Sequence, residues 1–230
     1  MGIGKKKWVK NILEYWPRLY LECLRFKRRG HWSQACVVSR STELVIEGYP
    51  RSANSFAQSA FIQSQPVRPN LATHVHSPAQ VIQAVRWKIP TLVLLRDPDG
   101  AVCAHLAFTC ELQDRAPEKV RPSEINDYLR RWIRFYEAVN PYREGFVVGH
   151  FSDVTSDFGR VMRKFNQYFD TSYTLFEHTP ENASALMQIS SHIGPQKERD
   201  NIKDKIAELY QQYVNQALRS RTQHTYKRLE

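Results

Sequence analysis

Residues 43–55 read ELVIEGYPRSANS. Glu43 to Gly48 is a short, mostly apolar run stopped by a glycine and a proline, which predicts a strand over 43–48. Asn54 to Ser64 then takes helical spacing. A strand, a glycine, a short loop and a helix in that order form the repeating unit of a parallel α/β sheet. The loop between them is where such folds bring backbone N–H groups and a helix N-terminus against an anion.

The same rhythm continues outward. LATHV (71–75) predicts a second strand, and Ser77-Pro78 sets an N-cap before a proline to open a helix over 78–86. TLVLL (91–95) is the most strand-like run and predicts a central strand buried on both faces. Pro98 to Phe108 predicts a helix, followed by a polar stretch over 115–122. Ile125, Tyr128, Leu129, Trp132, Phe135 and Tyr136 form the inner face of a helix over 123–140. FVVGHF (146–151) is a fourth strand, with 157–169 helical, 170–200 irregular, and Ile202, Ile206, Leu209, Tyr213 and Ala217 marking one closing helix. The expectation is an α/β fold of three layers around a central parallel sheet.

Ahead of it, Trp8, Ile12, Tyr15, Trp16, Leu19, Cys23 and Phe26 recur at steps of three and four, predicting an amphipathic helix over 7–29 in which Pro17 starts a new turn. Its basic flank and aromatic face suit an anionic membrane surface. The alternative is a helix docked on the core with solvated lysines. The expected organisation is a basic helical segment over 1–41 and an α/β domain over 42–230.

The chain has 230 residues and a net charge of +10. Residues 1–30 carry nine Lys or Arg against Glu14 and Glu22, and residues 218–230 carry four against Glu230. The 187 residues between these tails are neutral overall, so a nucleic-acid-binding face spread over the core is not expected. Cys23, Cys36, Cys103 and Cys110 form neither a zinc pattern nor a disulfide framework. No apolar run approaches a membrane span, the start lacks the apolar segment of a secretory signal, and Lys6 breaks the myristoylation pattern. These features predict a cytoplasmic protein with peripheral membrane contact through residues 5–29 as a further option.

Set against the nucleotide-binding pattern G-x-x-x-x-G-K-[ST], residues 48–55 keep Gly48 and Ser55 but place Ala53 at the second glycine and Asn54 at the lysine. The cation moves to Arg51. This P-loop-like strand, loop and helix resembles the phosphosulfate-binding loop of the sulfotransferases, roughly G-x-P-[KR]-S-G-[TS]-[TS], with Gly48, Pro50, Arg51, Ser52 and Ser55 in agreement. RDPDGAVCA (96–104) is similar to that family's second anchor through Arg96, Asp97, Pro98, Ala101 and Val102. The family's phosphate-binding serine falls on Ala104, and Gly100 replaces its usual aspartate.

The resemblance implies a sulfotransferase that moves a sulfuryl group from 3′-phosphoadenosine-5′-phosphosulfate to a hydroxyl or amine of a small-molecule, glycan or lipid acceptor, without a metal. Arg51, Ser52, Ala53, Asn54 and Ser55 would then cradle the 5′-phosphosulfate. Arg96, beside Ala104 and a helix N-terminus, would hold the 3′-phosphate, and Lys197 and Arg199 would approach the same group from a late basic loop. A general base is needed, and histidine suits it at neutral pH. His74 and His76 end the second strand, where alternation would put both on one face. The His-x-Pro spacing favours His76 and the distance to Arg96 favours His74. Arg51 would also stabilise the leaving phosphate. Two readings of other kinds stay open: a non-catalytic membrane-surface or polyanion-binding module on this fold, and a P-loop kinase.

Overall fold

In the computed structural model, which describes residues 16–31, 33, 35–189 and 197–230, four strands pair in parallel. They are β1 (Leu44–Gly48), β2 (Leu71–Thr73), β3 (Thr91–Leu95) and β4 (Val147–His150), in the order β2-β1-β3-β4. Leu44 pairs with Leu71, Gly48 with Leu94, and Leu95 with His150. The chain leaves β1 toward one side, returns, and continues on the other. The carboxyl ends of β1 and β3 therefore flank a topological switch point, where open α/β sheets form a crevice.

Helices cover both faces of the sheet, an arrangement compatible with three layers. Leu44, Ile46, Leu92 and Leu94 point to one face and pack on α2 (Asn54–Ser64) and on α7 (Phe158–Phe169), which follows the short α6 (Phe151–Ser156). Val93 and Leu95 point to the other face, against α4 (Pro98–Leu112) and α5 (Pro122–Val139). Val45 joins α3 (Pro78–Arg86) and α1 (Pro17–Lys27). The strict alternation along β1 and β3 puts every apolar residue of both strands in a core. Gly48 is required where the two strands meet, because a Cβ there would lie 2.6 Å from the Leu94 carbonyl oxygen.

Three expectations need correction. Residues 170–200 are not wholly irregular: α8 (Pro180–Ile189) lies within them and α9 (Lys197–Tyr213) begins there. The single closing helix is two, α9 and α10 (Gln216–Lys227), because the Asn215 side chain accepts from the Leu218 N–H at 3.0 Å and starts a new helix. The second strand ends at Thr73 rather than residue 75, since His74 and His76 both adopt positive φ, 56° and 52°. That backbone cannot continue a ladder.

The two C-terminal helices are tied to the sheet's helical layer by charge. Asp99 on α4 accepts from the Tyr210 hydroxyl at 2.5 Å and from Arg219 at 2.6 Å, and Glu137 on α5 accepts from Arg221. At the other end, α1 opens on Pro17 and buries Tyr20 and Leu21 against α3, so it is docked on the core. The expected start at residue 7 lies outside the described residues.

Candidate functional site

At the carboxyl ends of β1 and β3 a cleft of about 670 Å³ opens, lined by Arg51, Ala53, Asn54, Ser55, His74, His76, Arg96, Ala104 and Arg199 among others. Residues 45 or more apart in sequence thus meet where the switch point predicts. A shallower depression of about 480 Å³ beside Glu43, Arg68 and Tyr173 lies at the amino end of β1, away from the strand ends that bind ligands in such sheets.

The loop after β1 is held in an unusual shape. Arg51 and Ala53 both have positive φ, 68° and 69°. The Asn54 side chain donates to the Tyr49 carbonyl at 3.0 Å, closing the turn over the start of α2. No side chain caps that helix and its first turn carries no carboxylate, so its N-terminal amides and positive dipole end face the cleft without a built-in anion. Asn54 is 4% exposed, and its Oδ1 is buried without a hydrogen bond.

The helix after β3 behaves differently. Asp97 caps α4 by accepting from the Gly100 N–H at 2.6 Å, and Asp99 in the first turn neutralises it further. The expected contribution of this N-terminus to anion binding is therefore corrected: its own carboxylates already occupy that role. Arg96 nevertheless reaches across, donating from Nη1 to the Arg51 carbonyl at 2.9 Å. Its guanidinium lies over the Phe151 ring at 4.0 Å, and its Nε is buried without a hydrogen bond, with Asp97 no nearer than 3.9 Å.

Arg51 sits over the Phe108 ring, which Arg199 also approaches. Burial, reinforced by the charges of Arg199 and Arg96, lowers the Arg51 pKa to about 10, so it stays cationic at neutral pH but strained by its neighbours. Arg199 makes a two-point ion pair with Glu111 of α4, 2.5 and 2.9 Å, and is 6% exposed. It forms a wall of the cleft from a helix rather than from the loop expected for it. Lys203, one turn on, also lines the cleft, as does Asp200. Lys197 begins α9, and its side chain lies outside the described residues.

Ser52 departs from expectation. It is fully buried, its amide donates to the Tyr49 carbonyl at 3.3 Å and its hydroxyl turns toward Tyr136. It shapes the loop from below rather than lining the cleft. Ala104 does line the cleft and presents only a methyl group where the resemblance puts a hydroxyl. The neighbouring Cys103 thiol is pushed up to about 12 by burial and nearby Asp99 and Asp97, which leaves it unreactive.

Both histidines face the cleft, but left-handed backbone rather than strand alternation aims them there. Their rings meet edge to face at 5.5 Å. His74 Nε2 lies 3.2 Å from the Ser55 hydroxyl and Nδ1 lies 3.0 Å from that of Thr73. Burial, then the proximity of His76, lowers its pKa to about 4 despite Glu47, so it is neutral at pH 7. His76 Nδ1 lies 2.9 Å from the Gly48 carbonyl, which can only accept, so this nitrogen carries the proton and Nε2 bears the lone pair of the neutral ring.

Two further residues complete the arrangement without having been expected. Glu47 is fully buried under His76, its Oε1 3.4 Å from Nδ1, and it accepts from the Gly48 and Val75 amides and from Gln80 Nε2 at 2.9 to 3.1 Å. A carboxylate in the middle of an apolar strand was the signal for it. His105 faces the cleft from α4, its Nδ1 3.1 Å from the Tyr49 hydroxyl and its pKa lowered to about 3, chiefly by burial. Its helical spacing with Ala101, Ala104 and Phe108 was legible, but not its orientation. Among the described residues no group of three or more His, Cys, Asp or Glu side chains is placed to hold a metal ion. Compared with protein-family models and with curated proteins, the chain matches neither.

Proposed function

We propose that this cleft binds a doubly phosphorylated adenosine nucleotide and that the protein is a sulfotransferase using 3′-phosphoadenosine-5′-phosphosulfate. The observation that carries the reading is the convergence of Arg51 and Arg96 at adjoining strand ends, joined by the 2.9 Å bond, in front of an uncapped helix N-terminus. Guanidinium groups and backbone amides are the donors that grip phosphate and sulfate esters. The buried Nε of Arg96, lacking a hydrogen bond, fits a site completed by an anion.

In this reading Arg51, Ser55 and the first amides of α2 hold the phosphosulfate end, and Arg96 holds the 3′-phosphate. The bound donor supplies an activated sulfuryl group. His76 takes the acceptor proton on Nε2, while the Gly48 carbonyl and Glu47 fix the ring from behind. His74, with its low proton affinity and its contact to Ser55, orients rather than accepts. Arg51 stabilises charge on the departing phosphate. Ala53 and Ala104 favour the rival reading of a binding module without turnover, since each removes a feature of the resembling loops.

Melting with 3′-phosphoadenosine-5′-phosphate tests the reading. At a hundredfold excess over its dissociation constant the ligand adds about 2.7 kcal/mol, a rise of roughly 5 to 10 °C for a chain of this size. Magnesium ATP should not reproduce it. Stabilisation by magnesium ATP alone would support the kinase reading instead. A nucleotide shift without transfer of labelled sulfate to any acceptor offered would support the binding module.

A further inference from the structure

The first helix leaves a coherent face uncovered. On a helix of 3.6 residues per turn, Pro17, Tyr20, Leu21 and Leu24 share the side that packs on the core. Trp16, Leu19, Cys23 and Phe26 share another, at spacings of three, four and three. All four are exposed, with Trp16 67%, Leu19 52% and Phe26 76% accessible. Isolated exposed apolar residues are ordinary, but three large ones in register on one short helix form a patch. Arg18 lies to one side of this stripe and Lys27 to the other, both exposed, and Glu22, which borders the stripe beside Leu19 and Phe26, has its charge matched by Arg25 at 2.7 Å.

Charge decides the occupant. Residues 1–30 hold nine Lys or Arg against two Glu, while the 187 residues of the central chain sum to zero. Lys5, Lys6, Lys7 and Lys10 precede the helix in sequence. An aromatic and aliphatic stripe with cations on both flanks and a strongly basic leading segment is complementary to an anionic lipid surface, which takes rings at the headgroup level and attracts each cation. Among the described residues no helix is long and apolar enough to cross a membrane, so the contact this face can make is peripheral.

We infer that the Trp16, Leu19 and Phe26 face of α1, with its flanking cations, docks the protein on membranes rich in anionic lipid. The inference is independent of what the cleft binds. Cosedimentation of the full chain with vesicles tests it. Phosphatidylcholine–phosphatidylserine vesicles should carry the protein down and pure phosphatidylcholine vesicles should not, with binding falling as salt rises. The double variant Leu19→Glu with Phe26→Glu should lose binding by tenfold or more while its circular dichroism and melting stay unchanged, because both side chains are exposed. Arg18→Gln and Lys27→Gln should each weaken binding about fivefold. Trp16 contributes to an insertion signal: the vesicle-induced blue shift of tryptophan fluorescence should be smaller in Trp16→Phe than in the parent chain, Trp8 and three other tryptophans being kept in both. Failure of anionic vesicles to bind the protein overturns the inference. So does full binding by the double glutamate variant, or a self-associated form in solution that this variant dissociates.

Discussion

The Arg96 guanidinium is bonded to the main-chain carbonyl of Arg51, so the cation at the end of β3 braces the loop that carries the cation at the end of β1. One side chain thereby has two roles, holding the loop and facing the cleft. Replacing it removes the brace on the Arg51 loop and the stacking on Phe151 together with the Nε donor that has no hydrogen bond within the protein.

Arg96→Ala should abolish the thermal shift caused by 3′-phosphoadenosine-5′-phosphate. A charge-assisted hydrogen bond is worth about 1.5 to 3 kcal/mol, so affinity should drop at least tenfold. Arg96→Lys should rescue little, since an ammonium cannot brace the Arg51 carbonyl and grip a phosphate in the same plane. Titration calorimetry reads both. An unchanged affinity in Arg96→Ala would sink the nucleotide reading.

Ala53→Gly should stabilise the protein. Ala53 sits at φ 69°, where an L side chain costs about 1 to 2 kcal/mol and glycine does not. The greater freedom of glycine in the unfolded chain offsets about 0.4 to 1 kcal/mol of that. A net gain of about 0.5 to 1 kcal/mol is a rise in melting temperature of a few degrees. A loss of stability would mean that the methyl group has a packing role that outweighs the backbone.

Stability should fall on mild acidification. His74 and His105 have folded pKa values lowered from 6.5 to about 4 and about 3, mainly by burial. Above pH 6.5 neither ring binds a proton folded or unfolded, so neither affects stability. Below it the unfolded chain protonates first, and each ring removes at most about 1.4 kcal/mol per pH unit until its folded pKa is reached. Urea midpoints measured between pH 7 and pH 4 should therefore decline, and His105→Gln should decline less steeply. Parallel slopes for the two proteins would show that His105 is not buried neutral.

Glu47→Ala should be severely destabilising, by about 3 kcal/mol or more, because it strands the Gly48 and Val75 amides and the Gln80 side chain without an acceptor. Glu47→Gln keeps one acceptor oxygen and should fall between the two. If the glutamine variant stays folded, the proposed sulfuryl transfer predicts that its pH profile shifts relative to the parent chain, because the carboxylate behind His76 is gone.

Much of the scaffold was legible because its signals are local. Thr91–Leu95 and Pro78–Arg86 appear in the structure with the boundaries their residues predict, one from an unbroken apolar run and the other from a serine and proline start. The cleft was legible where it depends on strand ends, which is why Arg51, His74, His76 and Arg96, singled out in the sequence, all line it. Features set by distant partners were not. Glu47 meets Val75 and Gln80 only after β2 is laid beside β1, and Arg199 meets Glu111 across 88 residues. The shortening of β2 escaped for a related reason: histidine adopts positive φ more readily than most residues, but nothing local in the sequence requires it at both His74 and His76.

Four non-glycine residues with positive φ, Arg51, Ala53, His74 and His76, line the cleft. Each conformation costs energy that the packed sheet and helices must supply on folding. The contour of the crevice is thus fixed by the fold itself, so a ligand of matching shape would bind there without reshaping the loop.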